Sequence, residues 1–275
     1  MAGEAFSAVI RAIEAFAEKA HRLGGYAQLW FSEDTRNQDA LAFLGRVEQT
    51  LMEAQNRILF FSLWWKGIDD GPAERLEPYA GDGAYYLRQA RLFRKHTLSE
   101  PEERVINLKD VNGINALVKI YDMVTNAFTF EIVDEGETKK LSRDGLMVYA
   151  RHPSPDMREA AYRELYRVYG GEAPVLSQIY THRVLDWMSE NINLRHISSP
   201  IAVRNLSNDI PDAVTDTLLD VCIERAPVFH RFFRLKADML GMAGGRLRRY
   251  DLYAPLRHRQ DRTIPFRDAA DLVLG

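Results

Sequence analysis

The stretch LSEPEERVINLKDVNGINALVKIYDMVTNAFTFEIV, residues 98–133, contains both secondary-structure patterns that decide the fold. Ser99 can cap the free amide groups at the start of a helix, while Glu102, three residues later, can reach back to the capping residue. The spacing of apolar residues then predicts helix through residues 114–128. The last six letters, FTFEIV, alternate in the two-residue period of a β-strand. The stretch therefore predicts helices that lead into a single strand.

A partner for that strand comes directly after it. DEGE at 134–137 makes a turn and TKKL at 138–141 can pair back, which predicts a hairpin over about 128–141. Elsewhere the apolar spacing is helical. We therefore predict a mainly α fold of multi-helix layers with one small β-hairpin.

The helical segments have recognisable limits. A first helix is predicted over residues 5–20 and ends before Gly24 and Gly25, since glycine pairs interrupt helices. A long helix follows from about Asn37 to Trp65, with its apolar residues on one face. The last long helical pattern contains Pro227, which predicts a kink or a short break just before it.

Composition limits the class of protein. The 275 residues are 46% hydrophobic and 27% charged, as in an ordinary soluble globular protein, and a net charge of −3 gives no strong global attraction to nucleic acid or anionic membranes. The longest apolar run, residues 58–65, is far shorter than the roughly 20 residues that cross a bilayer. The N-terminal segment carries Glu4, Arg11 and Glu14, unlike a secretory signal. A single cysteine, Cys222, excludes an internal disulfide. We expect a cytoplasmic protein without a membrane partner.

Motifs for catalysis are missing from the sequence. None of the seven histidines is followed by glutamate, so the H-E-x-x-H zinc helix is absent. The sequence also contains no P-loop, no G-x-G-x-x-G and no G-x-S-x-G nucleophile elbow. We predict no catalytic and no metal-binding residue in this chain.

Three weaker features leave alternatives open. His182 and Asp186 stand four residues apart, which fits two metal ligands or a surface ion pair, although a catalytic zinc site usually takes three protein ligands. Cys222 lies in an apolar helical pattern, which favours a small buried side chain over a nucleophile. One helical face carries three tyrosines, which fits core packing or the wall of a wet cleft. These tyrosines are Tyr162, Tyr166 and Tyr169.

The C-terminal stretch RLRRYDLYAPLRHRQ, residues 246–260, is basic, aromatic and extended. Arginine and tyrosine together are typical of protein interfaces and also of nucleic-acid sites. The short length of this patch and the acidic chain around it favour a protein partner.

Six segments, taken in order, resemble the N-terminal half of oligoendopeptidase F, a family of zinc metallopeptidases related to thimet oligopeptidase. They are LGGYAQLWFSEDT (23–35), NRILFFSLWWKGIDD (56–70), LSEPEERVINLKDVNGINALVKIYDMVTNAFTF (98–130), HPSPDMREAAYRELYRVY (152–169), SSPIAVRNLSNDIP (198–211) and LRRYDLYAPL (247–256). None of the six is a catalytic signature, and their order and spacing carry the resemblance.

The resemblance implies a mostly helical cytoplasmic peptidase that cleaves short peptides in a channel between two lobes. In the family, zinc is held by an H-E-x-x-H helix that lies downstream of the segment resembling YDLYAPL, and this chain ends before such a motif. The implied regions are an N-terminal helical region (1–110), an oligoendopeptidase F N-terminal-type domain with the hairpin (111–192), and the truncated beginning of the catalytic region (193–275). We expect the chain alone to bind no zinc and to be inactive.

The resemblance then predicts that the absent catalytic half contacts Arg248, Tyr250 and Tyr253. The face exposed by the truncation is expected to favour a dimer. An alternative hypothesis makes the chain a stand-alone helical module that binds peptides or a partner protein without chemistry. Nucleic-acid binding is not expected.

Overall fold

The computed structural model describes residues 3–256 and 263–275, apart from the side chain of Ala243. These residues form a mainly helical chain with one two-stranded hairpin, which confirms the predicted fold class. The arginines of the C-terminal stretch at positions 257, 259 and 262 lie outside the described residues.

The helices fall into two compact units, and the family-based division into three regions stays a prediction. Unit 1 comprises Met1–Ala127 and Glu172–Asp220, and unit 2 comprises Phe128–Gly171 and Val221–Gly275. The helices are α1 (Gly3–Glu33), α2 (Gln38–Gly67), α3 (Asp70–Leu76), α4 (Ala84–Leu92), α5 (Glu100–Asn112), α6 (Ile114–Asn126), α7 (Arg143–Tyr149), α8 (Pro155–Gly171), α9 (Ala173–Met188), α10 (Pro200–Ser207), α11 (Asp212–Met239) and α12 (Phe266–Leu274). The strands are β1 (Phe130–Asp134) and β2 (Glu137–Leu141).

The main core of unit 1 forms where α1 and α2 meet α3 and α4. Phe6 and Trp65 are almost fully buried there, with their ring centroids 5.4 Å apart. The indole nitrogen of Trp65 donates a 2.8 Å hydrogen bond to the carbonyl oxygen of Leu87. That bond matters because a buried indole N–H without a partner would be costly.

Helix α1 corrects one prediction. It runs from Gly3 to Glu33 and passes through Gly24 and Gly25, which were expected to end it. Beyond the glycines, Ala27 and Phe31 are buried against α2. Burial of this second apolar segment outweighs the roughly 1 kcal/mol that each glycine costs inside a helix.

The start of α5 has the predicted geometry. Ser99 and Glu102 form a capping box, with the Ser99 amide donating to the Glu102 carboxylate over 2.9 Å. The helix ends at Gly113, whose amide donates to the carbonyl oxygen of Lys109 over 2.7 Å. A Cβ atom at Gly113 would lie 2.7 Å from that same oxygen, so this tight exit requires glycine.

The hairpin forms the centre of the unit 2 core. Strands β1 and β2 are antiparallel with Phe130 opposite Leu141, and positive φ angles at Glu135 and Gly136 make the turn. Phe130 and Ile132 are buried, as the alternation predicts, and pack with side chains of α7 and α8.

Helix α11 is less covered than its apolar pattern predicts. It includes Pro227 without the short break that was one of two predicted outcomes. Cys222 is exposed, so the prediction that it is buried was wrong. Large apolar residues are also exposed on both α11 and α12, including Ile223, Phe229, Phe266 and Leu274. None of the described helices is long and apolar enough to traverse a lipid bilayer.

Candidate functional site

An arginine-centred cluster in unit 1 joins α5 to the end of α9. After α9 the chain forms a π-helix over Ser189–Leu194, and Arg195 comes directly after it. The Arg195 guanidinium contacts both carboxylate oxygens of Glu103, at 2.7 and 2.9 Å, and its Nε donates to Glu190 over 2.8 Å. This two-pronged arginine–carboxylate geometry is strong and directional.

The backbone takes part in the same cluster. The carbonyl oxygen of Arg195 lies 2.8 Å from Nδ1 of His96, while the Arg195 guanidinium donates to the carbonyl oxygen of His96 over 3.3 Å. A 3₁₀ turn at Arg94–His96 is thereby tied to the residue after the π-helix. Two segments about 100 residues apart in sequence are thus held side by side.

Partial burial changes the acid–base properties of this cluster. Burial opposes ionisation of Glu103, but the hydrogen bonds from Arg195 and from the Leu98 amide outweigh it, so the pKa of Glu103 is lowered. Burial lowers the pKa of Lys66, against the effect of the nearby Glu103 carboxylate. For Asp110, burial together with the carboxylates of Glu190 and Asp186 raises the pKa to about 6.

An open pocket of about 740 Å³ lies beside this cluster. One side is formed by the start of α5, including Pro101 and Val105, and the opposite side by residues 193–196. A second depression, of about 480 Å³, lies between α2 and α5. Val105 lines both, so the two depressions adjoin along the exposed face of α5.

A second arginine-centred cluster lies in unit 2, and its central ion pair is buried. Arg158 of α8 donates to Asp251 over 2.7 Å, and the exposed fractions of these side chains are 2% and 0%. The remaining guanidinium nitrogen of Arg158 donates to the carbonyl oxygens of His152 and Pro153. Burial opposes ionisation of Asp251, but hydrogen bonds from Arg248 and Arg158 outweigh it, so the pKa of Asp251 is lowered.

Two of the three predicted interface residues take part in contacts within unit 2. Arg248 donates to Asp251 over 2.9 Å and stacks on the ring of Tyr250, with 4.6 Å from guanidinium carbon to ring centroid. The Tyr250 hydroxyl donates to Glu159 over 2.6 Å. Tyr253 remains 57% exposed. Their contact with an absent catalytic half stays a prediction.

Both interpretations of the tyrosine series on α8 apply in part. Tyr169 packs against Phe128 and Phe130 in the hairpin core, with the ring centroids of Tyr169 and Phe128 5.1 Å apart. Tyr162 and Tyr166 instead line a small pocket of about 110 Å³, together with Tyr250 and Tyr253 of the C-terminal stretch. One end of the series is therefore core, and the other forms a cleft wall.

His182 and Asp186, the pair weighed as metal ligands, both lie on α9 in unit 1. Over residues 3–256 and 263–275, no three His, Cys, Asp or Glu side chains come together in a way that could hold a metal ion. The described residues therefore do not fit the zinc ion that the family resemblance implies.

Sequence reasoning missed Arg158 and Arg195, which organise the two clusters. Arg158 stands three residues before the buried Ala161 on the apolar face of α8, and this position was a usable signal. Arg195 comes directly after a π-helix, for which the apolar spacing gives no warning.

Comparison with known proteins relates this chain to a peptidase family. A family model described as "Oligopeptidase F" matches residues 69–130. The oligoendopeptidase F homolog of Lactococcus lactis subsp. lactis (strain IL1403) is 25% identical over 187 residues, which span 60% of this chain and 28% of that protein. Oligopeptidase PepF of Bacillus subtilis (strain 168) is 24% identical over 186 residues, which span 66% of this chain and 27% of that protein.

Solved structures extend the comparison to the fold. The crystal structure of oligoendopeptidase-F from Enterococcus faecium matches with a TM-score of 0.77 and 25% identity, covering 91% of this chain and 50% of that one. A putative peptidase from Chlamydophila abortus shares the fold, with a TM-score of 0.68 and 18% identity over 99% of this chain and 46% of that one. This chain is therefore similar in sequence and fold to the N-terminal half of oligoendopeptidase F, and it spans about half the length of the Enterococcus faecium chain that it matches.

Proposed function

We propose that this chain is the N-terminal lobe of an oligoendopeptidase F-like zinc metallopeptidase that hydrolyses short peptides in the cytoplasm. The observation that carries the proposal is the match to 91% of this chain but only 50% of the Enterococcus faecium structure. In this proposal the lobe forms one wall of a channel that admits short flexible peptides and excludes folded proteins.

In this proposal, the residues that perform the hydrolysis lie in the catalytic half and not in this lobe. The sequence contains no H-E-x-x-H motif, and the described residues form no group able to hold a metal ion. The zinc ligands and the general base would therefore belong to a catalytic half outside these 275 residues. This lobe contributes shape and charge, and by itself it performs no hydrolysis.

The surface of α11 and α12 supports the need for a further packing partner. Exposed fractions reach 73% at Ile223, 89% at Phe266 and 86% at Leu274. Large apolar side chains at such positions are typical of an interaction surface. We propose that this surface and the contacts of Arg248, Tyr250 and Tyr253 meet the catalytic half, and that the isolated chain dimerises through them.

The source coding sequence beyond the codon for Gly275 gives the first test. We expect the reading frame to continue and to encode H-E-x-x-H on an amphipathic helix. A stop codon directly after Gly275 would contradict the proposal and would favour the stand-alone binding module.

Hydrolysis of a quenched fluorescent peptide gives the second test. The purified chain, after incubation with zinc, is expected to show no turnover and less than stoichiometric zinc, with the Enterococcus faecium oligoendopeptidase-F as positive control. Stoichiometric zinc together with rapid turnover by this chain would overturn the assignment of the chemistry to the other half.

A further inference from the structure

A small pocket in unit 2 is lined by four tyrosines and is called here the tyrosine pocket. Its volume is about 110 Å³, and its walls include Tyr162 and Tyr166 of α8 and Tyr250 and Tyr253 of the C-terminal stretch. The ring centroid of Tyr162 lies 4.8 Å from that of Tyr166 and 5.7 Å from that of Tyr250. The described residues that line the pocket all belong to unit 2.

The size of the tyrosine pocket limits what can enter it. Between the tyrosines the lining is apolar and is formed by Met147, Ala150, Ala161 and Leu165. An apolar cavity of about 150 Å³ is large enough to bind benzene. The smaller volume of this pocket therefore suits a smaller apolar group, such as a branched aliphatic one, whereas an inorganic ion would leave the apolar lining uncovered.

Arg249 gives the tyrosine pocket a positive charge. Its exposed side chain lines the pocket, and within residues 3–256 and 263–275 no hydrogen bond or ion pair engages it. The other charged residue in the lining, Arg158, is already paired with Asp251. None of the described lining residues is Asp or Glu.

The two carboxylates that contact lining residues are matched by other arginines. Asp251 contacts Arg158 at 2.7 Å and Arg248 at 2.9 Å. Glu159 contacts Arg163 at 2.6 Å and Arg248 at 3.7 Å. Two carboxylates thus face three arginines before the unpaired cation of the pocket is counted, so the surroundings of the pocket are positive.

Tyrosine hydroxyl groups add hydrogen-bond donors at the same place. The Tyr250 hydroxyl is engaged, because it donates to Glu159 over 2.6 Å. The hydroxyls of Tyr162, Tyr166 and Tyr253 have no hydrogen-bond partner in the part of the chain that the structure describes. An unpaired guanidinium beside unpaired hydroxyls offers the donors that carboxylate oxygens accept.

We propose that the tyrosine pocket binds a small ionised carboxylic acid, with a branched aliphatic group against the apolar lining and the carboxylate at Arg249. A free acid and the last residue of a peptide both offer this chemistry, and the experiment separates them. The proposal does not rest on the proposed function, because binding here needs neither zinc nor the catalytic half.

Saturation-transfer NMR on the intact 275-residue chain tests the proposal. The probe is 4-methylpentanoate, and the controls are 4-methylpentanamide and 4-methylpentylamine, which keep the branched group but are neutral and positively charged. We expect a dissociation constant of roughly 1 mM for the acid, as is reasonable for so small a ligand. The amide should bind about three- to fivefold more weakly and the amine more weakly still, because an exposed ion pair contributes modestly.

A dipeptide identifies the source of the carboxylate. Acetyl-Gly-Leu carries the same branched group beside a terminal carboxylate. Tighter binding of the dipeptide than of 4-methylpentanoate assigns the pocket to a peptide terminus, and weaker binding assigns it to a free acid.

Variants assign the binding to the tyrosine pocket. R249Q should reduce the preference for the acid over the amide to less than about 1.5-fold and leave the amide unaffected. The matched control R246Q makes the same change at an exposed arginine of the same stretch that does not line the pocket, and it should keep the preference. A150L fills the apolar lining and should weaken the acid and the amide alike, with circular dichroism to confirm that the variant is folded.

Three results would overturn the proposal. The first is equal affinity for the acid and the amide, or no saturable binding of either. The second is an unchanged preference in R249Q. The third is loss of the preference in R246Q, which would mark a general attraction of anions to the C-terminal stretch.

Discussion

The two units each contain an arginine that joins distant segments, but they surround it differently. Arg158 in unit 2 is 2% exposed, and its partner Asp251 is fully buried. Arg195 in unit 1 is 16% exposed, and its partners Glu103 and Glu190 are 12% and 25% exposed. If the arginine is removed, water can replace part of the hydrogen bonding that Arg195 gives to its carboxylates, but it can hardly reach the buried carboxylate of Asp251. We therefore expect loss of the arginine–carboxylate pair to lower the stability of unit 2 more than that of unit 1.

Replacing Arg158 should have the largest effect. R158M leaves the Asp251 carboxylate buried with Arg248 as its remaining ionic partner, and breaking a buried pair typically costs about 3–5 kcal/mol. The measurement is urea unfolding followed by circular dichroism, with hydrogen exchange of α8 to locate the change.

The control for R158M is R167M, which removes an ion pair between Arg167 and Glu164 in which the arginine is 64% exposed. It should cost less than about 1 kcal/mol. Equal losses for R158M and R167M would show that burial does not decide the cost.

Replacing Arg195 should have an intermediate effect. R195M removes both oxygen contacts of Glu103, but this carboxylate keeps the Leu98 amide and partial access to water, so we expect a loss of about 1–3 kcal/mol. All four tryptophans, at positions 30, 64, 65 and 187, lie in unit 1. Tryptophan fluorescence during urea unfolding therefore reports unit 1 selectively. If R195M lost as much free energy of unfolding as R158M, the difference in exposure between the two clusters would not explain their contributions to stability.

Asp110 should give the smallest effect and a characteristic pH dependence. Its pKa in the folded chain is raised from 3.8 to about 6, so protonation favours folding. That stabilisation is complete below the usual pKa of 3.8 and is lost as pH rises through about 6. After allowance for solvent screening, we expect D110N to stabilise unit 1 by about 1 kcal/mol at pH 7.5 and by much less at pH 4.5.

Tryptophan-monitored urea unfolding at both pH values checks this, with the exposed Asp82 as the control site in the variant D82N. If the Asp110 carboxyl made unit 1 less stable as pH falls through 6, the predicted direction of the effect would be wrong.

Asp251 should show the opposite pH dependence. Its pKa is lowered in the folded chain, so its contribution to the free energy of unfolding is present above 3.8 and is lost as pH falls through the lower folded value.

Local patterns predicted most of the fold. The capping box at Ser99, the alternation of Phe130 and Ile132, and the apolar face of α2 all depend on residues close in sequence, and all three are present in the structure. The continuous α1 was not predictable from Gly24 and Gly25 alone, because burial of Phe31 against α2 is a tertiary effect.

The sites were less predictable for the same reason. Arg158 and Asp251 are 93 residues apart, and Arg195 and Glu103 are 92 apart, so no local pattern pairs them. Cys222 lies in an apolar stretch of α11 and is exposed all the same, because an apolar pattern does not say whether another element covers it.

The π-helix before Arg195 has a consequence for insertions and deletions. Its backbone bonds span five residues, as in the 2.9 Å bond from the amide of Arg195 to the carbonyl oxygen of Glu190, so this turn holds one residue more than an α-helix needs. Deleting one residue within 189–194 would restore ordinary α-helical hydrogen bonding, because the wide turn is what absorbs the extra residue. Arg195 would then keep nearly the same direction. Deleting a residue from the α-helical part of α9 would instead rotate Arg195 by about 100° around the helix axis, away from Glu103. This turn is therefore the place where a related sequence can lose one residue and keep the cluster.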